Sequence, residues 1–123
     1  MTIQEAIELV DRLKPNQYEE AEKVRWLSEL DELIYHTILT EHETQVPEFT
    51  GYAETADMST VLLVGKPYDE IYRWWMEMKI DDANAEIAKY NNSAAKYNTY
   101  LTAYRNWYNR KHMPKQHVTH FTL

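Results

Sequence analysis

The 44 residues from Tyr68 to Lys111, YDEIYRWWMEMKIDDANAEIAKYNNSAAKYNTYLTAYRNWYNRK, contain neither glycine nor proline. Within them Met76, Ile80, Ala83, Ile87, Tyr90, Ala94, Tyr97, Leu101, Tyr104 and Tyr108 recur at alternating steps of four and three. That spacing keeps side chains on one face of an α-helix. The stripe holds its phase through Asn91, Asn92 and Ser93, although these residues have poor helix propensity. The pattern predicts one long C-terminal helix over 68–111. At about 1.5 Å per residue it would run roughly 66 Å, so part of it would have to pack outside its own core. The alternative is two antiparallel helices broken near Asn91-Asn92, since asparagine-rich turns are common.

Ahead of this stretch, from Thr44 to Pro67, the helical period stops and Pro47, Gly51, Gly65 and Pro67 appear. The segment 44–67 reads as an extended arm in which Val61, Leu62, Leu63 and Val64 form a short strand. A lone strand leaves its amides and carbonyls unpaired. It is therefore expected to pair with Glu48 to Tyr52 in a small hairpin, or with the same arm of a neighbouring subunit; the alternative is a plain surface loop, unusually long for a compact domain.

The N-terminal part, 1–43, reads as a helical hairpin. Thr2 and Glu5 have the spacing of a capping box. Ile3, Ile7, Val10 and Leu13, with Ala6 and Leu9 beside them, form the apolar face of the first helix, and Pro15 ends it. Asn16 and Glu19 repeat the capping pattern and open a second helix, about Gln17 to Glu43, with Leu27, Leu30, Ile34 and Ile38 in one stripe. Glu19, Glu20, Glu22, Glu29, Asp31, Glu32, Glu41 and Glu43 read as its solvated face. The whole chain, 1–123, is thus predicted to be one mostly α domain closed by a flexible tail, 112–123.

Charge divides unevenly along the chain. Residues 1–60 hold 14 acids and 4 bases, and residues 61–123 hold 6 acids and 9 bases, giving −10 and +3 within a total of −7. Opposite halves suit head-to-tail association between copies, or an orienting contact with an anionic partner. From Ala88 to Leu123 no acid occurs, and bases alternate with aromatic residues. Such a segment suits a protein interface, for which the candidate residues are Val61, Leu62, Leu63, Val64, Tyr97, Tyr104, Arg105, Trp107, Tyr108, Arg110 and Lys111. It also suits a surface facing DNA through Lys89, Lys96, Arg105, Arg110, Lys111 and Lys115. The N-terminus lacks the pattern of a signal peptide and no apolar run reaches membrane-spanning length, so the chain is expected to be soluble and unexported.

The chemistry-bearing patterns are sparse. The chain has no cysteine, and its glycines are Gly51 and Gly65, which excludes a phosphate loop built on clustered glycines. His36, His42, His112, His117 and His120 follow neither HExxH nor the helical ExxH spacing of di-iron bundles. Asp81 and Asp82 are neighbours on a helix and point about 100° apart, which does not build an acid/base pair. No metal, cofactor or enzymatic activity is expected.

The segment from Asp57 to Pro114 resembles small virion proteins encoded by tailed bacteriophages and prophages of Gram-positive bacteria. The pieces that carry the likeness are Leu62-Leu63, Pro67-Tyr68-Asp69, Tyr72, Asn84 with Glu86, Tyr90-Asn91-Asn92, and Trp107-Tyr108 with Arg110 and His112-Met113-Pro114. Gly65-Lys66 and the bulky Trp74-Trp75 depart from it. The resemblance implies a head-to-tail connector or neck protein without an active site. Such a subunit would form a ring of copies with portal, neck or tail proteins around the packaged DNA, in the virion and, during assembly, in the host cytoplasm. A nucleic-acid-binding phage regulator, or a phage assembly chaperone or scaffold, is the alternative.

Overall fold

The computed structural model describes residues 1–115. They are mostly helical: α1 (Ile3–Leu13), α2 (Glu20–Thr37), α3 (Ile71–Ala83) and α4 (Ile87–Lys111), with short 3-10 turns at Leu39–Glu41 and Tyr68–Glu70. The α1 and α2 helices touch each other and both rest on α3, while α4 packs on α3 and on the turn at Tyr68–Glu70. Buried side chains from α1 (Ile3, Ile7, Val10), α2 (Leu27, Leu30, Ile34) and α3 (Ile71, Met76, Ile80) join Leu62 and Val64 in one cluster. Burying each such aliphatic side chain contributes about 1.5–3 kcal/mol. Among the described residues no helix is long and apolar enough to cross a membrane.

The first helix follows its sequence closely. The Glu5 amide donates to Thr2 Oγ1 at 3.1 Å and the Thr2 amide donates to Glu5 Oε1 at 3.3 Å, completing the capping box. The two amides this box leaves over, Ile3 and Gln4, donate at 3.0 Å to the carbonyls of Thr60 and Met58. All four orphan donors of the helix N-terminus are thereby satisfied. This is where the arm is used. Leu62 N–H donates to the Met1 carbonyl at 2.9 Å, and Thr2 forms an isolated antiparallel bridge with Val61. No strand occurs among the described residues, and the segment 61–64 does not pair with 48–52. The Leu62, Leu63 and Val64 amides donate to the Met1 carbonyl, to Asp31 and to the Tyr72 hydroxyl.

The second helix is shorter than its pattern suggested. It ends at Thr37, and it starts only at Glu20 because Asn16 Oδ1 takes the Tyr18 amide at 3.1 Å in a local turn instead of capping the helix, and Glu19 makes no side-chain cap. Asp31 is fully buried rather than solvated. It accepts from Tyr72 Oη at 2.7 Å, from the Leu63 amide at 3.0 Å and from the Tyr52 hydroxyl, and Tyr72 Oη in turn accepts from the Val64 amide at 2.7 Å. One carboxylate and one phenol thus fasten both halves of the arm to α2 and α3. Gly51, at φ +97°, lies so close to α2 that a Cβ there would sit 2.3 Å from Glu32 Oε1.

The predicted single helix over 68–111 is two helices, and the break is not at Asn91-Asn92, which are exposed residues inside α4. It falls at Asn84-Ala85-Glu86. Ala85 adopts φ 56°, its amide donates to the Asp82 carbonyl at 3.0 Å, and the Glu86 amide donates to the Asp81 carbonyl at 2.9 Å. These paired bonds are the Schellman termination, here with alanine in the left-handed position that glycine usually fills. The chain reverses, and α4 returns antiparallel along α3. Ala83 and Ile87, which the stripe placed on the packed face, flank the turn and are exposed.

A candidate docking face on the last helix

The inner side of α4 is laid down rung by rung against what precedes it. Ser93 Oγ donates to Asp81 Oδ2 at 2.8 Å, and the same buried carboxylate holds the Lys14 ammonium from the end of α1. Tyr97 packs on Trp75 with ring centroids 5.2 Å apart, and Tyr104 packs on Tyr68 at 6.0 Å. Tyr108 meets the edge of buried His42 at 4.6 Å and stacks on His112 at 4.0 Å. The His42 Nδ1–H donates to the Ile38 carbonyl at 2.6 Å, and Nε2 faces the side-chain amide of Asn109 at 2.7 Å. Burial pushes the hydroxyls of Tyr97, Tyr104 and Tyr108 above their ordinary range; at Tyr97 the nearby Arg105 charge opposes the shift.

The chain beyond α4 is anchored as well. The Glu43 amide donates to the Met113 carbonyl and the Lys115 amide to the Glu41 carbonyl, each at 2.8 Å, around an isolated bridge between His42 and Pro114. Residues 112–115, expected to begin a flexible tail, are thus tied to residues 41–43, beyond the end of α2. The remainder of that tail, 116–123 with His117 and His120, lies outside the described residues. Among the described residues no group of three His, Asp or Glu side chains could hold a metal ion.

The candidate interface residues divide into two sets. Leu62, Val64, Tyr97, Tyr104 and Tyr108 are buried, so their surface is already used within the chain. Leu63 and Trp107 are half-buried, while Val61 remains 68% exposed. The six cations Lys89, Lys96, Arg105, Arg110, Lys111 and Lys115 are all exposed. Lys89 pairs with Glu86 at 3.4 Å and Lys96 lies 6.0 Å from the Trp74 ring, which also carries the Arg73 guanidinium at 4.2 Å. Arg105 and Lys115 come together on the rim of a shallow cleft of about 170 Å³, lined also by Glu41, His42 and Asn109.

The outer side of α4 carries a second periodic pattern. Ala88, Asn92, Ala95, Thr99, Thr102 and Asn106 are all exposed and alternate at steps of four and three. None is charged or larger than asparagine. The signal was in the sequence, in the same period as the inner stripe, but hidden because the apolar residues draw the eye to one side of a helix. No family model, curated protein or solved structure matches this chain.

Proposed function

We propose that this chain is a structural subunit of a tailed-bacteriophage or prophage particle, placed at the head-to-tail connector or neck. The observation that carries this reading is α4: 25 residues without one carboxylate, held along one side by a rigid helical body and uncovered along the other. A helix of this kind is suited to docking on other virion proteins. The likeness of the segment 57–114 to small phage virion proteins directs that general role to the particle neck. Its partners are then further copies of itself and portal, neck or tail proteins, with the packaged DNA nearby. Its place is the virion, reached from the host cytoplasm.

The six exposed cations on 89–115 favour one second reading, a phage regulator that binds nucleic acid through this face. Replacing Arg105, Arg110 and Lys111 by Gln separates the two. A connector loses particle assembly without showing measurable DNA affinity; a regulator loses DNA retardation and its salt slope. Removal of the gene from the phage should yield filled heads and unattached tails. Infectious particles of normal appearance without this chain would refute the connector assignment.

A further inference from the structure

We infer that the outer face of α4 docks on a second copy of this chain, which meets it with the acidic side formed by α2 and the arm. The inference rests on reading α4 as a docking helix and names its partner.

Two independent features carry it. The first is the register of the face. With Ala88, Asn92, Ala95, Thr99, Thr102 and Asn106 as the central seam, Lys89, Lys96 and Arg110 all fall on one edge at heptad spacing, and Arg105 falls on the other. Small uncharged seam residues permit a close approach by another surface, and charged flanking positions select what approaches. A face made only for water has no reason to exclude charge from its centre and line it up at the edge.

The second feature is where the opposite charge lies. Residues 26–65 contain eight acids and no Lys or Arg, while residues 87–115 contain six bases and no acid. Within one molecule these segments meet where 37–44 lie beside Arg105, Asn109 and the residues that follow α4, and where buried Asp31 lies near Tyr104. Asp31 is buried and Glu29 is paired with Lys79 at 2.9 Å. Glu32, Glu48 and Glu54 form no ion pair with another described residue, and the arm runs against Glu32 at Gly51. An α4-to-α4 contact between copies would bring cations edge to edge. The contact that satisfies both surfaces is between unlike faces, the heterologous kind that generates rings or filaments.

A charge swap tests this. One variant carries Lys96→Glu and Arg110→Glu; the other carries Glu48→Lys and Glu54→Lys. All four positions are exposed, and circular dichroism verifies the fold of each. Sedimentation velocity of the wild-type protein should show self-association at about 20 mM salt that is lost at about 0.5 M, where screening falls to a few ångströms. Each variant alone should sediment as a monomer, and an equimolar mixture should associate again because α4 of one now matches the arm of the other. A wild-type protein that stays monomeric at low salt, or a mixture that stays monomeric, overturns the inference. Retardation of duplex DNA by that monomeric protein would give the face to nucleic acid instead. Failure here leaves particle incorporation untouched, and so is distinguishable from failure of the connector reading.

Discussion

The hydroxyl of Tyr72 donates to Asp31 and accepts from the Val64 amide, each at 2.7 Å, so one phenol on α3 ties a buried carboxylate of α2 to the arm. Tyr72→Phe keeps the ring and removes both bonds. It leaves a buried amide without an acceptor, and should cost about 2–3 kcal/mol. Chemical denaturation checks this as a lowered midpoint at an unchanged slope. A loss below about 0.5 kcal/mol would mean that the arm is held by other contacts.

Burial raises the Asp31 carboxyl above its ordinary value of 3.8, outweighing the hydrogen bonds from Tyr52, Tyr72 and Leu63 that lower it. The folded state then binds this proton more tightly than the unfolded chain does. Its contribution to stability is complete below the unfolded value and is lost as pH rises through the folded one. Asp31→Asn removes the titration, so the stability difference between wild type and variant should move against the wild type as pH rises from about 3 to about 7. Movement in the opposite direction would identify an ordinary ion-paired carboxylate.

Ala85 holds the left-handed position of the turn between α3 and α4 at φ 56°. An L residue with a Cβ is strained there by about 1–2 kcal/mol, part of which glycine returns as entropy of the unfolded chain. Ala85→Gly should therefore stabilise the protein by about 0.5–1 kcal/mol, and Ala85→Val should destabilise it. Thermal melting of the pair decides, and a destabilising glycine would contradict the turn.

Asp81 is fully buried between α1, α3 and α4, where it meets the Lys14 ammonium and the Ser93 hydroxyl. Lys14→Met leaves that carboxylate with one partner and should cost about 2–3 kcal/mol, discounted for the partial exposure of Lys14. Adding Asp81→Leu should restore most of the loss, since a buried pair replaced on both sides is often neutral. Additive losses in the double variant would count against the coupling.

What the sequence disclosed was local. Thr2, Glu5 and Pro15 set the ends of α1 through neighbouring residues, and the structure follows them. The reversal at Ala85 was hidden because the sequence has no glycine there, and because a helical period says nothing of direction: both inner faces are apolar, so the stripe passes through the turn. The pairing of the arm is hidden from the sequence for a different reason. Its partners are Met1, Thr2, Asp31 and Tyr72, three of them more than 30 residues away, and no pattern within 44–67 points to them. Asp31 itself was legible in hindsight, since it stands in phase with Leu27 and Ile34 on the buried stripe. The cationic edge of α4 was visible as composition, whereas its separation from the tyrosines needed the helix to be rolled into place.

Copy number in purified particles tests the central claim most directly. Density-gradient particles, digested and quantified by mass spectrometry against the portal protein, should contain this chain at a fixed ratio of the order of one copy per portal subunit. A chain that is abundant in the lysate yet missing from mature particles would contradict a connector role and leave a chaperone or a regulator in its place.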